Sequence, residues 1–116
     1  MPKTIHVGNQ QKHIVGTHNY NQYVQNLKSK NQFGPSRLTI PISEAQNLVD
    51  KYSGTGIVQL NTNGVWIRQE VITSNDSVVG VAVNNINGVE AETTVFKIQY
   101  GKIGTHIVPD YPSKKR

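Results

Sequence analysis

Two stretches in the first half of the chain repeat apolar residues at helical spacing. Tyr20, Tyr23, Val24 and Leu27 fall at i, i+3, i+4 and i+7, and Ala45, Leu48, Val49 and Tyr52 do the same. Each pattern lays one apolar stripe along a helix. Thr17 and Asn19 are both suited to cap the first helix, which should fade near Lys30 and stop before Gly34-Pro35. Ser43-Glu44-Ala45-Gln46 reads as a capping box for the second, with Ser43 at the N-cap and Gly54 as the stop. The spacing therefore predicts helices over 20–30 and 43–52. Beyond Gly54 the period changes to two. Asn63-Gly64 and Asn87-Gly88 are strong hairpin dipeptides, predicted as type I′ turns. Strands are expected over 57–60, 65–70, 78–83, 89–100 and 103–108. Within 89–100, Thr94, Phe96, Ile98 and Tyr100 share one face, and Val95, Lys97 and Gln99 share the other.

Helices first and a meander afterwards predict an α+β fold, with two N-terminal helices packed on a four- to five-stranded antiparallel sheet. At 116 residues the chain is expected to form one domain over 12–110. Residues 1–11 are polar and read as a loose lead-in, 12–15 as an edge strand, and 111–116 as a basic tail.

Composition narrows the chemistry. There are no cysteines, which removes disulfides, thiol catalysis and Cys-based zinc sites. No apolar run approaches the roughly 18 residues of a membrane span, and Met1-Pro2-Lys3-Thr4 does not open a signal peptide. No glycine-rich nucleotide motif is present, so no cofactor is expected. The net charge is +5, of which Lys114, Lys115 and Arg116 supply three. That is a moderate electrostatic case for a polyanionic partner.

The candidate chemistry sits in two similar corners. Lys12-His13-Ile14-Val15-Gly16-Thr17 opens the folded part and Gly104-Thr105-His106-Ile107-Val108-Pro109 closes it. Each places a histidine before an apolar pair and beside a Gly/Thr corner. If the two ends meet, His13 and His106 supply two imidazoles titrating near neutral pH, suited to acid–base cleavage of RNA. Alternation over 66–70 puts Trp66, Arg68 and Glu70 on one face, as an aromatic shelf, a phosphate contact and a further general base. Lys12, Arg37 and Lys102 are candidate phosphate contacts, and Thr17 and Thr105 candidate hydrogen-bond donors. His18 lies at a helix start, and His6, in the lead-in, is assigned no role. His13 and His18 are five apart across a glycine corner, a poor spacing for a metal site, and none is expected.

The ordered string Gln11 to Thr17 with Asn19-Tyr20, then Ser36-Arg37-Leu38-Thr39, Tyr52-Ser53-Gly54-Thr55-Gly56, Trp66 with Glu70, Ile98-Gln99-Tyr100 and Gly104 to Pro109 resembles the polymorphic toxin type 50 family. The resemblance runs from about Gln11 to Pro109. It implies a ribonuclease-type domain of the barnase/EndoU/colicin/RelE-like fold, found at the C-termini of bacterial toxins and in phage minor head proteins. It places His13, Thr17, Arg37, Trp66, Glu70, Thr105 and His106 at family motif positions. Gln99-Tyr100-Gly101-Lys102 departs from a more usual Tyr-Ser-Lys-type run.

The expectation is a metal-independent endoribonuclease toxin domain. His13 and His106, or Glu70 with one of them, would be base and acid. Lys12, Thr17, Arg37, Trp66, Arg68, Lys102 and Thr105 would bind substrate. RNA and an acidic immunity protein are the expected partners of a monomer, delivered as the C-terminal part of a secreted or phage-borne protein to act in the target-cell cytoplasm. The alternative is a non-catalytic nucleic-acid-binding or phage structural module.

Overall fold

The computed structural model describes residues 3–112. The basic tail expected over 111–116 falls mostly outside the described residues. The fold is α+β, with three helices and seven strands in two antiparallel sheets among the described residues.

The lead-in is not loose. Helix α1 (Val7–Gln11) is capped by His6, whose ring accepts the amide hydrogen of Asn9. The expected edge strand over 12–15 is instead a series of turns leading to helix α2 (His18–Ser29). Thr17 caps α2, accepting from the Tyr20 amide at 3.0 Å. The helix ends where the Gln32 amide reaches back to the Leu27 carbonyl and Asn31 turns left-handed. After strand β1 (Arg37–Leu38) comes helix α3 (Ile42–Tyr52). Its N-cap position is Pro41, with no side-chain cap, so the box expected from Ser43 does not form. Gln46 is used elsewhere: its side chain accepts from the Ile5 amide and donates to the Lys3 carbonyl and to Asp50.

Strands β2 (Ile57–Leu60), β3 (Trp66–Ile72), β6 (Phe96–Gly101) and β7 (Gly104–Pro109) form a sheet in the order β2-β3-β6-β7. Strands β1, β4 (Gly80–Val83) and β5 (Glu90–Thr93) form a second sheet in the order β1-β4-β5. The run over 89–100 is thus two strands in two sheets. It breaks where the Thr93 hydroxyl accepts the Val95 amide at 2.9 Å, substituting a side-chain bond for a ladder bond. Both Asn-Gly turns form. The left-handed residues are Gly64 and Gly88 but not the asparagines before them, so neither turn is type I′. Asn61 and Asn84 close these wider turns by accepting backbone amides through their side chains.

The core joins the inner face of β6 and β7 (Phe96, Ile98, Ile107) to Ala45 and Val49 of α3, with Ile5, Leu38, Ile72 and Val79 completing it. Burial of each large side chain is worth roughly 1.5–3 kcal/mol. The expected stripe of α3 is therefore a core stripe. That of α2 is weaker: Leu27 is its buried residue, and Tyr23 and Val24 are half-buried.

The N-terminal segment is stitched to both layers. Ile5 pairs in parallel with Thr105, the His6 amide donates to the Thr105 carbonyl at 2.8 Å, and the Thr105 amide donates to Thr4 at 3.0 Å. Gln10, fully buried, donates to the Ile107 carbonyl at 2.9 Å and accepts from the Ile107 amide at 2.8 Å.

Candidate functional site

The outer face of the β6–β7 hairpin is the floor of a cleft of about 830 Å³. Register pairs Gln99 with His106 and Lys97 with Val108, and all four side chains line it. This is the face that strand alternation sets opposite Phe96 and Ile98. One wall is α1 and the turn after it, with His6, Asn9, Lys12 and His13. The other is α2 with Asn19, Tyr23, Asn26 and Lys30, and the rim carries Phe33, Asn84 and Asn85. Among the described residues, three lysines and three histidines line the cleft, and no Asp or Glu does. Such a surface favours an anion, and its concave walls strengthen the field.

The two predicted histidines meet here. Their rings stack with centroids 5.7 Å apart and planes 14° from parallel. His13 is 5% exposed and makes an edge contact with Tyr23. Its Nδ1 lies 2.7 Å from the Ser36 carbonyl. A carbonyl only accepts, so in the neutral ring Nδ1 carries the hydrogen and Nε2 is the basic nitrogen. The backbone around it is fixed as well, because the His13 carbonyl accepts the Leu38 amide at 2.7 Å.

Both rings are harder to protonate than a free imidazole, against the expectation of titration near neutrality. Burial is the main cause for His13, opposed by the Ser36 carbonyl and reinforced by Lys12 and Lys97. His106 is pushed down to about 4, by burial first and then by His13, Lys12, His6 and Lys97. With cations around it and no carboxylate in the cleft, nothing offsets desolvation.

Of the residues the sequence singled out, Lys12, His13 and His106 line the cleft and the others do not. Thr17 is a helix cap that also donates to the Gln11 carbonyl. Thr105 is fully buried and donates to the Gln99 carbonyl at 2.7 Å. Arg37 is paired with Glu90 at 2.7 Å across the second sheet. Lys102 is exposed in the β6–β7 turn.

Trp66 and Glu70 meet at Tyr100, whose ring lies 5.8 Å from that of Trp66 and whose hydroxyl donates to Glu70. A register shift sets Val58 opposite Glu70 but Leu60 opposite Trp66, so β3 carries extra residues there, and Arg68 takes a left-handed backbone. Such a bulge breaks the alternation that the expectation relied on. Glu70 is buried at 3% exposure, while Trp66 and Arg68 are exposed. The Glu70 carboxylate accepts from the Gly54 amide at 2.8 Å, the Gly56 amide at 3.0 Å and the Tyr100 hydroxyl. Tyr100 in turn bonds Ser53 and is pushed up to about 12, by burial and by Glu70. This cluster anchors the loop after α3 onto the sheet.

Sequence reasoning missed Lys97, Gln99, Lys30 and His6. The first two were legible as a face of β6. What was missing was the register that sets that face beside His106. Among the described residues no three His, Asp or Glu side chains are arranged to hold a metal ion, and no helix is long and apolar enough to cross a membrane.

Comparison with known families matches residues 5–109 to the family described as bacterial toxin 50. No curated protein matches the chain.

Proposed function

Because the chain belongs to the bacterial toxin 50 family, we propose that its cleft cleaves RNA by transesterification at the 2′-hydroxyl. The observation that carries this reading is the stacked His13–His106 pair in a cleft with lysines and no carboxylates. Rings 5.7 Å apart can each reach an oxygen on the same phosphorus through a hydrogen bond of about 3 Å.

His13 is the base. Its Nδ1–H is held by Ser36, so Nε2 takes the proton of the 2′-hydroxyl. The 2′-oxygen bonds to phosphorus and the bond from phosphorus to the 5′-oxygen breaks. His106, protonated, gives its proton to that leaving oxygen. The products are a 2′,3′-cyclic phosphate and a 5′-hydroxyl. Lys12 and Lys97 balance the charge that builds on the phosphoryl oxygens. The substrate brings its own nucleophile, so the chemistry asks only for positioned acid, base and cations. In this reading Glu70 holds a loop and takes no part.

The test is a digest of total RNA, with and without EDTA, by the parent protein, His13→Ala and His106→Ala. Each variant is expected to lose about 10²–10⁴-fold in cleavage, the range for a general acid or base. Cleavage by His106→Ala at the parental rate sinks the mechanism. RNA binding without any cleavage by the parent favours the binding-module alternative. The pH profile of kcat/KM reports the free protein. With His106 near 4 and His13 also lowered, its maximum is expected on the acid side of 6.5. The profile of kcat should move to higher pH, because a bound phosphodiester stabilises both imidazolium ions.

A further inference from the structure

The first strand-like residues bring a third imidazole to the floor of the cleft. Ile5 pairs in parallel with Thr105, and both side chains are buried. Alternation then sends the next residue of each strand, His6 and His106, to the opposite face, side by side. Both line the cleft, and His6 is close enough for its charge to bear on His106.

The His6 ring is oriented by a second contact. Its Nδ1 accepts the Asn9 amide hydrogen at 3.1 Å. A backbone amide only donates, so Nδ1 carries no hydrogen and the neutral ring bears it on Nε2. This is the reverse of His13, whose Nδ1 is the donor. The two rings therefore offer opposite capacities at their distal nitrogens: a lone pair on His13, an N–H on His6.

Two glycines let this segment approach closely, Gly104 at its backbone and Gly8 at the ring. A Cβ on Gly104 would come within 2.9 Å of the His6 Cβ and of the Thr4 carbonyl oxygen, and one on Gly8 within 3.2 Å of the His6 Cε1.

We infer that His6 is a third substrate-contacting histidine, donating from Nε2–H to a phosphoryl oxygen of the chain held between His13 and His106. This rests on the reading of the cleft as an RNA site. It adds a hydrogen-bond donor to the lysines of the cleft.

Two substitutions separate this role from helix capping. In His6→Asn the side-chain oxygen can replace Nδ1 as the acceptor for Asn9, but the distal donor is gone. In His6→Gln an N–H is kept at the longer reach. The probe is a 2′-deoxy-substituted RNA oligonucleotide, which binds but lacks the nucleophile, with cleavage of the parent RNA measured alongside.

His6→Asn is expected to melt within a few degrees of the parent, to bind the probe about tenfold more weakly and to lose a similar factor in kcat/KM, the size of one hydrogen bond to a charged group. His6→Gln should recover part of that binding even if it melts earlier. Parental probe affinity in His6→Asn overturns the inference, whatever its melting temperature. Should His6→Asn fail to fold, the histidine ¹⁵N resonances of the parent decide. On titration with inorganic phosphate, the His6 Nε2 signal must shift if the contact exists, and an unmoved signal overturns it. A parent that binds the probe at His6 but cleaves no RNA removes the proposed reaction and leaves the contact standing.

Discussion

Gln10 acts on β7 as a neighbouring strand would, giving and taking one hydrogen bond with the backbone of Ile107. Gln10→Leu keeps the volume and removes both. It leaves a buried N–H and a buried carbonyl unpaired, at about 1–3 kcal/mol each. Thermal unfolding should show a drop of many degrees, with cleavage reduced at temperatures where the variant is still folded, because the turn carrying His13 follows α1 directly. The cleft histidines make stability depend on pH in a defined direction. The His106 ring titrates at about 4 in the folded protein and near 6.5 when unfolded, so between those values the unfolded chain binds more protons. Stability should fall as pH is lowered through that window, by about 1.4 kcal/mol for each pH unit crossed, and level off below about 4. His13 adds in the same direction. Urea midpoints from pH 7.5 to 3.5 check this: His106→Ala should show a shallower loss than the parent. The pairing of His13 with His106 was legible in the matched corners of the sequence. Their lowered basicity was not, because it comes from burial and from Lys97, which only the β6–β7 register brings near.

Among the elements, β3 carries a bulge that strand alternation alone does not show. Glu70 is buried and accepts from the amides of Gly54 and Gly56, while Arg68, in the bulge, is exposed. If Glu70 only holds that loop, Glu70→Gln should lower stability by about 1–3 kcal/mol, since a charged acceptor for three donors is replaced by a weaker one that also brings hydrogens of its own. Cleavage per folded molecule should stay within a few-fold of the parent. A loss of a hundredfold or more, with the fold intact, would return Glu70 to the reaction. Helices α2 and α3 were legible because their apolar period is local to the chain. Helix α1 was not, since Val7-Gly8-Asn9-Gln10-Gln11 holds one large apolar residue and is stabilised by the His6 cap and by Gln10 reaching β7. The division of 89–100 between two sheets was hidden for a similar reason. The β propensity is continuous, and the break depends on the Thr93 hydroxyl and on β4 pairing to β1 and β5.

For the molecule as a whole, the net charge of +5 matters less than where its lysines stand. Lys12, Lys30 and Lys97 line the cleft. If each contacts one phosphate, the affinity for single-stranded RNA should fall with salt at a log–log slope of about −2, from roughly −0.7 per contact. Binding of a non-cleavable oligonucleotide at salt concentrations from about 50 to about 300 mM measures it, and Lys97→Gln should flatten the slope by about 0.7. A slope near zero would point to a ligand that is not a polyanion. The segment paired to Thr105 carries a mechanical consequence. A force applied at the N-terminal end reaches the Thr4 and His6 bonds first, then α1 and Gln10, before it loads the β3–β6 ladder. Under tension from that end, the wall bearing His6 and His13 should part from β7 before the sheet comes apart, and any activity that depends on the cleft should be lost first.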